Sequence, residues 1–236
     1  MTEFQYPNET AAYRAARDAL LKEEQALRAQ VDAVARQRRQ LPDGGALKEA
    51  YEFERPGEDG QGVRVAFKDL FEGKHTLILH TMMFGAEWDA PCPSCTSIVD
   101  AMNTAGRTIR ETAAIAVVAQ ATPAQMQTWG GRRAWSNLAL YSGTNSPYLL
   151  DYAGFMADDP GQVSVMNVFR RRGDTIVHFW GSELVSHPMD NGHPRHVDMI
   201  WPLWNLMDLT PDGRGERMVP EQDFEHAYFS EHILGQ

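Results

Sequence analysis

Cys92 and Cys95, the chain's two cysteines, share one stretch, MMFGAEWDAPCPSCTSIVDAM, residues 82–102. That spacing suits a redox disulfide, half of a metal site, or an inert pair on a buried helix. A thiol becomes a nucleophile only as thiolate, and a helix N-terminus stabilises the anion through its free N–H groups and its dipole. Cys92 precedes Pro93, and proline is tolerated in a first helical turn because its missing N–H would be unpaired there anyway. The spacing therefore predicts Cys92 as an N-cap with Cys95 one turn below on the same face. In such a pair the outer sulfur, Cys92, attacks, and the inner one, Cys95, resolves the mixed disulfide. Trp88 and Asp89 lie just ahead of the pair and are expected to shape the substrate side. Glu87 and Asp89 would raise the thiol pKa if they point inward.

Such a pair needs a strand to end beside it and a helix to begin at it. Residues 76–80 form a continuous apolar run ending in His80, which fits a strand buried on both faces. Helical sequence runs from about residue 94 to 105, and a second buried strand is predicted over 114–119. Thr122 caps a further helix through Trp129, with Pro123 at its first position. A short strand at 138–141 and a helical turn near 147–152 follow. The last hairpin pairs 163–169 with 175–180 and turns at Arg172-Gly173-Asp174, so Arg170, Arg171 and Arg172 read as a solvated turn rather than an anion site. Two short strands near 51–53 and 63–67 precede all of these, joined by the turn-rich PGEDGQG. This order is α/β: a mixed sheet covered by helices. The cysteines then fall at the carboxyl end of a buried strand, where such sheets place their sites.

Residues 9–40 read as one long helix capped by Asn8 or Thr10. Tyr13, Ala16, Leu20, Leu27, Val31 and Val34 lie on one face. Arg36, Arg38 and Arg39 near its end suit the helix dipole. The stripe either packs on its own domain or makes a homodimer contact. The expected division is a helical extension over 1–45, a main domain over 46–215 and a tail over 216–236.

A net charge of −10 argues against nucleic acid and anionic membrane as partners, since both require a basic footprint. The sequence shows no basic, apolar signal region at its start and no apolar run approaching the ~18 residues of a membrane span, so the expected location is cytoplasmic. In that compartment a C-x-x-C pair is redox-active or metal-binding rather than structural.

A metal alternative rests on His187, His193 and His196, interleaved with Asp190 and Asp198, because imidazole and carboxylate suit zinc, iron or copper. Against it, Pro188, Gly192 and Pro194 are turn residues of an ordinary polar loop. His80 and His178 fall in strand runs and read as satisfied core histidines. Trp180, Trp201 and Trp204 either belong to the core or bring residues 181–205 near Cys92.

The turn Asp69-Leu70-Phe71-Glu72-Gly73-Lys74, leading into a central strand and then a cysteine-bearing loop, resembles the thioredoxin fold and its alkyl hydroperoxide reductase/thiol-specific antioxidant branch. A closer resemblance spans nearly the whole chain. The long helix ending in Arg-Arg-Gln-Leu-Pro, the Tyr51-x-Phe strand, Met83-Phe84-Gly85, the Cys92–Cys95 pair and the segment from Trp201 to Gly215 together resemble the bacterial thioredoxin-like family catalogued as "domain of unknown function 899". The resemblance implies a thioredoxin-like fold more than an activity; on that fold the C-P-S-C pair leads to the expectation of a thiol–disulfide oxidoreductase that needs no bound organic cofactor. Its partners would be a dithiol reductant or an oxidised thiol protein.

Two departures from thioredoxin bear on the site. Laid over the thioredoxin pattern F-W-A-E-W-C-G-P-C, FGAEWDAPC puts Asp89 at the attacking position and Cys92 at the resolving one. The other register aligns C-P-S-C with the redox pair, lengthens the loop, and is favoured because Pro93 fits a helix start. The second departure is Ser164, or a neighbour, at the substrate-docking position where thioredoxins carry a cis-proline. The peroxidatic pattern P-x-x-x-T-x-x-C is not found in the sequence. The alternatives left open are a redox-silent thioredoxin-like binding module and a metal-binding protein using the histidine loop.

Overall fold

The computed structural model describes residues 5–58, 61–152, 155–156, 159–187 and 197–213. The chain divides into two units, Met1–Pro42 and Asp43–Gln236.

The first unit is built on helix α1, Ala11–Arg39. Thr10 caps it, its hydroxyl accepting the Tyr13 N–H at 3.1 Å. None of its residues is buried, and Tyr13, Leu20, Leu27 and Val31 of the apolar stripe are exposed.

The second unit is organised by two apolar runs. β3 (Thr76–Met82) and β4 (Ala114–Ala119) pair in parallel, with His80 opposite Val117. Every residue of β4 is buried, as a strand covered on both faces requires. Helix α2 (Pro93–Ile109) crosses between β3 and β4. Helix α3 (Pro123–Arg133) then leads from β4 to β5 (Ala139–Ser142), which pairs in parallel with β4. α3 begins with a capping box in which Thr122 and Gln125 satisfy each other's backbone N–H groups.

The last hairpin, β8 (Val165–Arg172) and β9 (Thr175–Gly181), packs antiparallel on the other side of β3. Its turn places Gly173 at φ +61°, a region that favours glycine. Arg170 and Arg172 pair with Asp43, while Arg171 donates to the Lys68 carbonyl at 2.6 Å. The three arginines thus have internal partners.

The sheet is extended at its other edge by the hairpin β1 (Glu52–Pro56) and β2 (Gly62–Ala66), which joins antiparallel to β5. The full order is β2-β1-β5-β4-β3-β8-β9. A separate two-stranded ribbon, β6 (Phe155–Met156) and β7 (Asp159–Gln162), lies between the short helix α4 (Tyr148–Asp151) and β8. The result is the expected mixed sheet flanked by helices.

Alternation along β3 separates two cores. Leu77 and Leu79 face an aromatic cluster of Tyr51, Phe53, Phe67, Phe71, Tyr148 and Phe169. Met82 and the half-buried Ile78 face the other cluster, which contains Cys92, Cys95, Ile98, Val117 and Met166. Trp201 and Trp204 join this second cluster from a 3₁₀ turn at Asp198–Ile200 and helix α5 (Pro202–Met207).

Candidate active site

Cys92 is the N-cap of α2, with Pro93 in the first turn. Its Sγ accepts the Cys95 backbone N–H at 3.4 Å, so one of the helix's orphan donors points at sulfur. The Cys92 N–H donates to the Met83 carbonyl at 3.0 Å, tying the helix start to the residue that follows β3. On the other side its carbonyl accepts both the Thr96 N–H at 2.9 Å and the Thr96 hydroxyl at 3.0 Å. Cys92 is 8% exposed and Cys95 1%. Cys92 is thus slightly the more exposed of the two, and both cysteines are buried.

The two thiols act on each other's ionisation. Interaction with Cys95, and then burial, push the Cys92 thiol well up, whereas interaction with Cys92 pulls the Cys95 thiol well down against the effect of burial. The first proton therefore leaves the pair below the ordinary thiol range and the second well above it. His80 on β3 further favours the anion on Cys95. Glu87 and Asp89 are both exposed, and the largest influences on the thiols are their mutual interaction, burial and His80.

His80 departs from the sequence reading. It is 0% exposed, and neither ring nitrogen makes a well-formed hydrogen bond. His178 behaves as expected: its Nε2 lies 2.9 Å from Asn167 Oδ1. Asn167 uses its amide N–H groups on Tyr148 and Tyr152, so its Oδ1 accepts and the histidine donates. Apolar strand runs predict burial for both histidines but say nothing of what each ring meets. The signal for His80 was its place in the strand that ends at the cysteine loop.

The loop before the cysteines is held from α3. Gln125 Nε2 donates to the Trp88 carbonyl at 2.9 Å and the Ala86 carbonyl at 3.1 Å. Trp88 is half-buried against the cysteine-side core, and Asp89 is exposed. Gly85 accommodates the indole: a Cβ there would meet Trp88 Cδ1 at 2.9 Å. Ser164 directly precedes β8 and is buried. With Val165 opposite Thr81, continuation of the register puts Ser164 level with Met82, at the same sheet end as the cysteine loop. The described residues contain no cis peptide.

The tryptophans of the late segment are core residues. Trp201 Nε1 donates to Ser97 Oγ at 2.9 Å, fixing the segment to α2 just past the cysteine turn. His193, His196 and Asp190 lie outside the described residues. His187 is exposed and donates from Nδ1 to the Glu183 carbonyl at 3.2 Å, and Asp198 is buried. Among the described residues no group of three His, Cys, Asp or Glu is arranged to hold a metal ion. No helix among them is long and apolar enough to cross a membrane.

The peroxiredoxin-like protein of Aquifex aeolicus is 16% identical over 60% of this chain and 75% of its own, with a TM-score of 0.42. Plasmodium yoelii thioredoxin peroxidase I is 14% identical over 76% of this chain and 97% of its own, at 0.46. Xanthomonas campestris peroxiredoxin Q is 13% identical over 58% and 85%, at 0.43. No curated protein matches the sequence. The features that carried the resemblance, from the long first helix through the cysteine turn to the tryptophan-rich segment, fall within one family match over residues 3–229, and the chain belongs to that family, described as bacterial protein of unknown function (DUF899).

Proposed function

We propose that this chain is a thiol–disulfide oxidoreductase whose working pair is Cys92 and Cys95. The observation that carries the reading is the thiol pair at the first turn of α2, with Cys92 at the N-cap accepting the Cys95 N–H and the slightly more exposed of the two residues. Cys92 Sγ attacks a substrate disulfide as its proton passes to the Cys95 thiolate, forms a mixed disulfide and releases the first substrate thiolate. Cys95, once deprotonated again, attacks Cys92 Sγ, closes the Cys92–Cys95 disulfide and expels the second substrate thiolate. Two electrons pass from the protein to the substrate. A partner dithiol returns them, or, running in reverse, the oxidised pair oxidises a thiol protein.

Substrate would approach past Trp88 and Asp89, with Ser164 at the adjacent strand end. Access decides the order of attack, because an incoming disulfide reaches the N-cap sulfur before the one beneath it. The burial of both thiols favours a second reading, a redox-silent binding module on the same fold.

An anaerobic redox titration separates the two readings. Free thiols are counted by alkylation and mass spectrometry in wild type and Cys92→Ser. Reversible loss of both thiols between about −270 and −120 mV, the range of thioredoxin-like couples, supports the oxidoreductase. Thiols that stay reduced throughout leave the binding module.

A further inference from the structure

We propose that His80 is the proton acceptor for Cys95 in the second step of exchange. This rests on the oxidoreductase reading. A side chain that is 0% exposed and leaves both ring nitrogens without a well-formed bond is unusual, because buried polar groups are nearly always paired. Its surroundings are chosen narrowly. Along β3 it lies between Ile78 and Met82, and across the sheet it pairs with Val117 on β4 and Met166 on β8, all four apolar. From α2 the titratable groups in that core are Cys95 and Cys92. The segment packed on α2 contributes Val197, Trp201 and Trp204, with Asp198 as its acid.

Val117, Met166 and Met82 all belong to the core cluster that holds Cys95, so His80 lies on the sheet face that this thiol packs against. A neutral imidazole carries one acceptor nitrogen, and a thiol is a weak donor to it. Cys95 must lose its proton to attack the mixed disulfide, and solvent reaches it poorly at 1% exposure. Transfer to His80 gives the thiolate and an imidazolium. The thiolate attacks Cys92 Sγ, the Cys92–substrate S–S bond breaks, and the departing thiolate carries the electron pair away. The imidazolium then returns its proton to that thiolate or to solvent, so charge and protons balance.

An aromatic disulfide reagent, 5,5′-dithiobis(2-nitrobenzoate), resolves the two steps in stopped flow. The first chromophore released reports attack by Cys92, and the second reports resolution by Cys95. His80→Gln and His80→Asn should slow the second release by on the order of 100-fold near neutral pH, with the first changed far less. The deficit should shrink as pH rises and Cys95 ionises unaided. Equal slowing of both phases, or a second phase unchanged in rate and pH profile, overturns the role of His80. A wild type that releases a first chromophore but never a second, or none at all, overturns the oxidoreductase reading instead. Should both variants fail to fold, nitrogen-15 NMR of the wild-type ring decides. The His80 shifts should move between dithiol and disulfide forms, and identical shifts overturn the proposal.

Discussion

The Gln125 side chain holds the Trp88 carbonyl at 2.9 Å, and this bond joins the start of α3 to the loop that delivers Cys92. All the polar capacity of that carboxamide is in use. Oε1 accepts from the Thr122 N–H at 2.8 Å and the Thr122 hydroxyl at 2.9 Å, while Nε2 serves both Trp88 and Ala86. Gln125→Ala removes the side-chain half of the capping box and the loop clamp together, leaving the Thr122 hydroxyl on the residue 125 N–H. We expect a loss of about 1–3 kcal/mol in denaturant unfolding, with Trp88 more accessible to acrylamide quenching. Gln125→Glu keeps the acceptor but cannot donate to the two carbonyls. It should preserve the helix cap and still loosen the loop.

At Gly106, α2 packs closely on Asn137 in the segment before β5. A Cβ there would sit 2.4 Å from the Asn137 carbonyl oxygen, and backbone cannot step aside as a flexible side chain can. Gly106→Ala gains helix propensity but forces α2 outward. Overpacking should dominate, lowering stability by about 1–3 kcal/mol in urea unfolding. An unchanged or higher midpoint would mean that the helix shifts freely, and that the cysteine turn is less fixed than its bonds suggest.

Trp201 reaches α2 through Ser97 and is 5% exposed. Trp201→Ala should cost about 3–5 kcal/mol from lost burial and the cavity left behind. Trp201→Phe keeps most of the apolar contact and drops only the N–H, which leaves the Ser97 hydroxyl to re-pair. Its cost should be nearer 1 kcal/mol. A Ser97→Ala, Trp201→Phe double-mutant cycle measured by urea unfolding isolates the bond itself.

Much of this architecture was legible in the chain's periodicity. The run 114–119 is β4 as read, and Thr122-Pro123 starts α3 as its caps require. Cys92-Pro93 starts α2, which continues to Ile109, past the predicted end near residue 105. Local rules of burial, capping and turn chemistry suffice for these elements. They do not report what a residue faces across the sheet. The position of β1 and β2 beyond β5 depends on pairings between residues far apart in sequence, such as Glu54 with Ser142. His80 shows the same limit within the site. A strand run predicts that it is buried, whereas its role depends on Val117, Met166 and Cys95 arriving from three other elements. Neither feature has a local signature.

His178 supplies a pH dependence of stability that is separate from the thiols. Burial holds its pKa below the ordinary histidine value of 6.5. The unfolded chain therefore binds this proton more readily than the folded one, and protonation favours unfolding. Its contribution is complete above about pH 6.5 and is lost as pH falls from there toward the folded pKa. In His178→Gln, which can still donate to Asn167, that slope should disappear. Melting temperatures measured from pH 7.5 down to about 5 should fall less steeply in the variant than in wild type over this window. Parallel curves would place the acid sensitivity in other groups, among which the carboxylates Asp43 and Asp151, held below their usual range by Arg172 and Lys48, lose their pairing only at lower pH.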